Sequence, residues 1–90
     1  MTKLLKPAQA GSIESSDILI MLAPAQPGDG IKVELVSPTM QQYGEQIKSV
    51  IIQTLMAHGI EDAVIHANDK GALDFVIEAR VTTAVSRALS

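Results

Sequence analysis

The sequence predicts an α+β fold: a small, mostly antiparallel sheet in the order βββαββα, with a long helix on one face and a short C-terminal helix. Three observations predict it. Short apolar runs separated by turn-forming residues crowd the first 36 positions, Met40 to Leu55 repeats its apolar residues at three- and four-residue steps, and strands are grouped rather than alternating with helices. All 90 residues are expected to form a single domain, with residues 1–7 as a flexible arm ending at Pro7.

The elements come in order along the chain. Ala8 to Ile13 is short and mixed, an edge strand. Glu14-Ser15-Ser16-Asp17 is polar and turn-forming, and Ile18 to Leu22 is aliphatic throughout, a buried strand, so the two strands make a hairpin with Ser15 and Ser16 at its mobile tip. Residues 24–30 hold two prolines and two glycines and form a loop. Ile31 to Val36 alternates apolar with charged, the period of a half-exposed strand.

A helix opens near Ser37-Pro38-Thr39, where Ser37 can cap with Pro38 at the first helical position, or Thr39 can cap with Gln42 three residues on. Met40, Tyr43, Ile47, Val50, Ile51 and Leu55 form its apolar stripe, and Gly59 ends it. Ala63 to Ala67 is a strand, and Asn68-Asp69-Lys70-Gly71 is a turn closed by a glycine of positive φ.

Residues 72–80 admit two readings. As a helix, Leu73, Val76, Ile77, Val81 and Ala84 align, but Arg80 falls inside the apolar stripe. As a strand, Leu73, Phe75, Ile77, Ala79 and Val81 face one way and every charge faces the other. The strand reading is preferred, giving a hairpin from Ala63 to about Arg80 and a helix from about Val81 to Leu89.

Composition excludes several functions. A domain of this size buries roughly 60–65% of its unfolded surface, which leaves little room for a deep active site. Aromatic residues number two, Tyr43 and Phe75, and the formal charge is −3. Base stacking and phosphate-backbone binding are therefore not expected, and nucleic acid is not an expected partner. The chain has no cysteine, so a disulfide framework and a thiolate zinc site are excluded. Residues 1–6 do not resemble a signal peptide, and no apolar stretch approaches the roughly 20 residues of a membrane span. A soluble, cytoplasmic protein without a membrane partner is expected.

The candidate chemistry is sparse. Ser15 and Ser16 lie between Glu14 and Asp17. These are ordinary turn residues, no histidine adjoins them, and the glycine-flanked serine of a hydrolase elbow is missing. An exposed hydroxyl on a tip nevertheless suits modification by another enzyme. His58, at a helix C-terminus, and His66, on a strand, are isolated imidazoles and a weak basis for a metal or a triad. Asp69-Lys70-Gly71 with Asp74 lacks the EF-hand pattern, and Gly28-Asp29-Gly30 is too short for a phosphate loop. Arg80 and Arg87 read as surface or partner-facing cations, and Met21, Met40 and Met56 as core fillers. No catalytic residue and no metal ligand is expected.

Two stretches are more specific. Ala10-Gly11-Ser12-Ile13-Glu14-Ser15-Ser16-Asp17 resembles the A-G-x-x-E-S-G-D segment of citrate lyase acyl carrier proteins, the gamma subunits of that complex. Asp69-Lys70-Gly71-Ala72-Leu73-Asp74, with Ala79-Arg80 and Arg87-Ala88 after it, is similar to the same family's D-K-G-A-L-D…A-R…R-A tail. Gln46-Ile47 and the long helix fit the same order, so the resemblance covers almost the whole chain.

The resemblance implies a non-catalytic carrier. Its serine between Glu and Gly carries 2′-(5″-triphosphoribosyl)-3′-dephospho-CoA through a phosphodiester, which by position is Ser15. The family's glycine is Ser16 here, which makes Ser16 a weaker candidate and Ser12 weaker still. Glu14 and Asp17 match the flanking acids, with an implied role of orienting the tip toward the prosthetic-group transferase. The implied partners are the alpha (transferase) and beta (lyase) subunits, between which acetyl and citryl thioesters travel as citrate is cleaved to acetate and oxaloacetate. The cofactor would bring the thiol that a cysteine-free chain lacks. Rival readings are the carrier subunit of malonate decarboxylase and a cofactor-free adaptor domain.

Overall fold

A computed structural model of the chain describes residues 3–90. Its elements are β1 (Ala8–Gly11), β2 (Ile18–Pro24), β3 (Ile31–Val36), α1 (Met40–Ala57), β4 (Ala63–Asp69) and α2 (Asp74–Leu89). The α+β class holds, with a four-stranded sheet in the order β1-β2-β4-β3. β1 with β2 and β2 with β4 are antiparallel, whereas β3 with β4 is parallel, so the sheet is mixed. The parallel pair arises because α1 carries the chain back across the sheet before β4 begins.

One element is corrected. Residues 72–80 do not form a fifth strand, and the hairpin expected from Ala63 to Arg80 is absent. The turn after β4 leads into α2, a 16-residue helix that begins at Asp74 rather than near Val81. Its buried face is Ile77, Val81, Ala84, Val85 and Ala88, at helical spacing. Arg80 was the objection to that helix, and the objection fails because its charge is met from outside the helix. Phe75, placed inward by the strand reading, is 67% exposed.

Both helices cover one face of the sheet, α2 over β1 and β2 and α1 over β3. The inward sheet residues come from alternate positions: Ala10 opposite Ile20, Leu22 opposite Ile65, and Ile20 opposite Ala67. Ile51, Leu55 and Ile77 meet them from the helices with no more than traces of exposure, each such burial contributing roughly 1.5–3 kcal/mol. The core is wholly aliphatic. Met21, Met40 and Met56, read as core fillers, are all exposed.

α1 starts at Met40, and the Thr39 side chain makes no capping bond, whereas Ser37 Oγ accepts from Thr39 N–H at 3.2 Å, as a cap ahead of Pro38 would, and also donates to Asp69 Oδ2 at 2.8 Å. Its end agrees with expectation. Gly59 takes φ +77, its N–H donates to Met56 O, and Ile60 N–H donates to Leu55 O, the paired bonds of a glycine-terminated helix. Of the arm expected over residues 1–7, Met1 and Thr2 lie outside the described residues. Leu4 is buried, and Leu5 N–H donates to Ala88 O at 3.1 Å, which ties this segment to α2.

Candidate functional site

The β1–β2 connection, Ser12–Asp17, is the candidate site, and its shape is set by a glycine. Gly11 lies at φ +93, and a Cβ there would sit 1.8 Å from Ile18 O. Only a residue without a side chain lets the two strands approach so closely where the loop begins.

The loop is held from within and from two neighbouring elements. Asp17 N–H donates to Glu14 O at 3.1 Å, closing a four-residue turn. Ser16 N–H donates to Lys70 O and Lys70 N–H donates to Asp17 O, each at 2.9 Å, so the loop is stitched to the end of β4. From α2, Arg80 Nε donates to Asp17 Oδ1 at 3.0 Å and Nη2 to Oδ2 at 3.2 Å. The tip expected to be mobile is therefore anchored through its backbone.

Asp17 is the hub of these contacts. Beyond Arg80, it accepts from Ser12 Oγ and from Ile18 N–H, both at 2.7 Å. The Arg80 hydrogen bonds first, then those of Ser12 and Ile18, hold its carboxyl at about 2, below its usual 3.8. The same contact pushes the Arg80 guanidinium further up.

The three serines of the loop differ sharply. Ser12 is half-buried, and its hydroxyl donates to Asp17 while accepting from Glu14 N–H at 3.2 Å, so it is consumed by the loop's own structure. Ser16 is exposed, with φ +65 in the left-handed region that glycine prefers. Ser15 is exposed at the apex, and among the described residues neither its hydroxyl nor that of Ser16 takes part in a hydrogen bond. Glu14 beside it is exposed as well.

Among the described residues, neither histidine hydrogen-bonds these hydroxyls. His58 Nε2 lies 3.2 Å from Thr82 Oγ1 between the helices, and His66 Nδ1 pairs with Glu34 at 2.8 Å on the open face of the sheet. Among the described residues, no group of three metal-ligating side chains exists, and no helix is long and apolar enough to cross a membrane. The loop can offer a hydroxyl, and it cannot make that hydroxyl react unaided.

The sequence reads Arg80 with Arg87 as a surface or partner-facing cation, and the structure makes it a residue of the site through Asp17. The signal was present: a charge set inside an apolar helical stripe needs a partner. Arg87 binds β1, donating to Gln9 O at 2.8 Å. Asp69 was read as a turn residue, yet it is 1% exposed, accepting from Ser37 Oγ and from Ala72 N–H at 2.9 Å.

Residues 5–88 match the family described as ACP, malonate decarboxylase delta subunit (MdcD). A citrate lyase acyl carrier protein of Lactococcus lactis is 48% identical over 82 residues, covering 91% of this chain and 83% of the relative. That of Lacticaseibacillus casei is 52% identical over 82 residues, covering 91% and 79%. That of Pectobacterium carotovorum is 49% identical over 87 residues, covering 96% and 88%. The chain belongs to the citrate lyase acyl carrier protein family.

Members of this carrier family bear their acyl group on a covalently bound prosthetic group, so the chain is a non-catalytic subunit of a larger complex. The fold is shared more widely. A chain of the Pseudomonas malonate decarboxylase hetero-tetramer, solved with malonate, superposes with a TM-score of 0.77 at 17% identity, covering 97% of this chain and 88% of that one.

Proposed function

We propose that the chain is the acyl carrier subunit of citrate lyase and that Ser15 is its attachment point for the phosphoribosyl-dephospho-CoA arm. The observation that carries this reading is the exposed, uncommitted Ser15 hydroxyl at the apex of a loop clamped by Asp17 and Arg80. The loop fits the group, because a covalent tether needs an accessible hydroxyl and a fixed base and no enclosing pocket.

Ser15 would hold the 2′-(5″-triphosphoribosyl)-3′-dephospho-CoA group through a phosphodiester, with diphosphate as the leaving group and the hydroxyl proton passing to a base of the prosthetic-group transferase. When attached, the arm supplies the thiol on which acetyl and citryl groups ride. The chain's own residues keep the attachment point in place, while Glu14 and the rim of the loop meet the transferase. Tethering replaces a free thioester by one held at high effective concentration near the alpha and beta subunits.

Intact-mass measurement after incubation with the transferase and its cofactor tests this directly. Wild type and Ser16→Ala should gain the mass of one phosphoribosyl-dephospho-CoA group, and Ser15→Ala should gain none. Loading that survives Ser15→Ala would overturn the assignment. A second reading, the malonate decarboxylase carrier, is favoured by the description of the matching family and by the shared fold. Relatives at 48–52% identity favour citrate lyase. Activity of the reconstituted complex on citrate and not malonate is the expected result.

A further inference from the structure

Both aromatic rings of the chain lie in one groove. Tyr43 on α1 and Phe75 on α2 line a depression of about 730 Å³ between the two helices, with Leu73 beside them. Tyr43 is 52% exposed, Phe75 67% and Leu73 63%. The core below needs none of them, because Ile47 and Ile77 already close it. A domain built on an aliphatic core has thus left its two rings more than half exposed, where folding gains only part of what burying them would give. Exposed aromatics gathered in a concave site mark a place where something else is bound.

Charge decides what that is. Asp74 and Glu78, both exposed, line the same groove with the buried Asp69 beneath, and among the described residues no lysine, arginine or histidine does. Carboxylates repel phosphates and other carboxylates, so the anionic arm on Ser15 and a citryl group are both poorly matched. A protein segment that offers an apolar side chain flanked by lysine or arginine matches rings and rim together.

Position gives the groove a purpose. Lys70, stitched to the Ser15 loop by two backbone hydrogen bonds, leads directly into Gly71, Ala72 and Leu73, which form one wall of the groove. A partner seated there is held beside the apex that carries Ser15. We propose that this groove is the docking face for a protein partner, whose contact segment inserts an apolar side chain between Tyr43 and Phe75 and sets a basic residue against Asp74 and Glu78. Its purpose rests on the carrier reading above, but docking itself requires no modification of the serine.

The test uses the full, unmodified chain, titrated calorimetrically against purified alpha subunit, beta subunit and transferase, each alone, at low and high salt. Phe75→Ala and Glu78→Lys should weaken binding to at least one of the three by about tenfold or more. Wild-type affinity should fall with salt, and that of Glu78→Lys should fall less. Met21→Ala, on the open face of the sheet, should bind as wild type, and thermal melts should show all variants folded. Wild-type affinity in both groove variants overturns the proposal, as does a wild-type chain that binds none of the three. If the variants instead abolish self-association of the chain, the occupant is a second copy and the proposal falls. Ring resonances of Tyr43 and Phe75 that shift on loading, without partner, would assign the groove to the arm and equally refute it. Failure of Ser15 to load leaves the binding results standing, so the two readings fail separately.

Discussion

Arg80, near the middle of α2, meets Asp17, the last residue of the β1–β2 loop, in a two-point contact at 3.0 and 3.2 Å across 63 residues of sequence. This pair makes the loop part of the helical layer. It also explains how a cation can occupy the apolar stripe of α2 without cost to packing: the aliphatic stem lies near Gly11, and the guanidinium reaches a carboxylate already holding Ser12 and Ile18.

Replacing Asp17 should therefore loosen the loop and destabilise the fold. Asp17→Asn is expected to cost about 1–2 kcal/mol at neutral pH, from weakened bonds to the donors of Arg80, Ser12 and Ile18. The effect depends on pH with a definite sign. The folded carboxyl titrates at about 2 against 3.8 when free, so its contribution is complete above about pH 4 and is lost as pH falls toward 2. Urea unfolding of wild type and variant at pH 7 and near pH 2 should show the gap between them narrowing in acid. An equal gap at both pH values would remove Asp17 ionisation from the account.

Gly11→Ala should be more damaging than either loop-serine change. Its methyl group would meet Ile18 O at 1.8 Å, at φ +93. A loss of at least about 2 kcal/mol is expected in chemical denaturation, because strand and loop must separate to make room. A variant as stable as wild type would mean that the close approach is not required.

Ser16 occupies a backbone region that favours glycine. Ser16→Gly is expected to raise stability by about 0.5 kcal/mol, the relief of strain being partly offset by the flexibility of unfolded glycine. That amounts to a Tm increase of roughly 2–4 °C. Ser16→Val, branched at Cβ, should lower Tm instead. The opposite order in a melting series would contradict the backbone argument.

Asp69→Ala should strip acceptors from Ser37 Oγ and Ala72 N–H in a site that water hardly reaches. The expected loss is about 1–3 kcal/mol. Hydrogen exchange gives a local readout: the Ala72 amide should lose protection in the variant while the Ile65 amide keeps it. Unchanged exchange at Ala72 would show that its bond to Asp69 contributes nothing.

Much of the fold was legible where the signal is local. The alternation of Ile31–Val36, the stripe of α1 from Ile47 to Leu55 and the stop at Gly59 all appear in the structure near their expected places. Residues 72–80 were misread because a charge was judged by its own segment. Arg80 makes sense only with Asp17, and no window of neighbouring residues contains both. Likewise the chain bends with Gly71 at φ +94, but the turn expected over Asn68–Gly71 is cut short because β4 runs on to Asp69, and whether the chain then enters a helix or a strand depended on α2 packing over β1 and β2.

The site divides in the same way. Short-range pattern and resemblance to a carrier family pointed to Ser15, because turn chemistry and a motif are properties of adjacent residues. The tertiary structure decided only that Ser12 is not free, since it is taken up by Asp17, which is oriented by a helix from the far end of the chain, while Ser15 and Ser16 both stay exposed. The parallel pairing of β3 with β4 and the groove holding Tyr43 and Phe75 also belong to the folded molecule alone. Periodicity tells a segment which face to bury, but the partner of a charge and the neighbour of a ring are chosen by chain reversals that bring distant segments together.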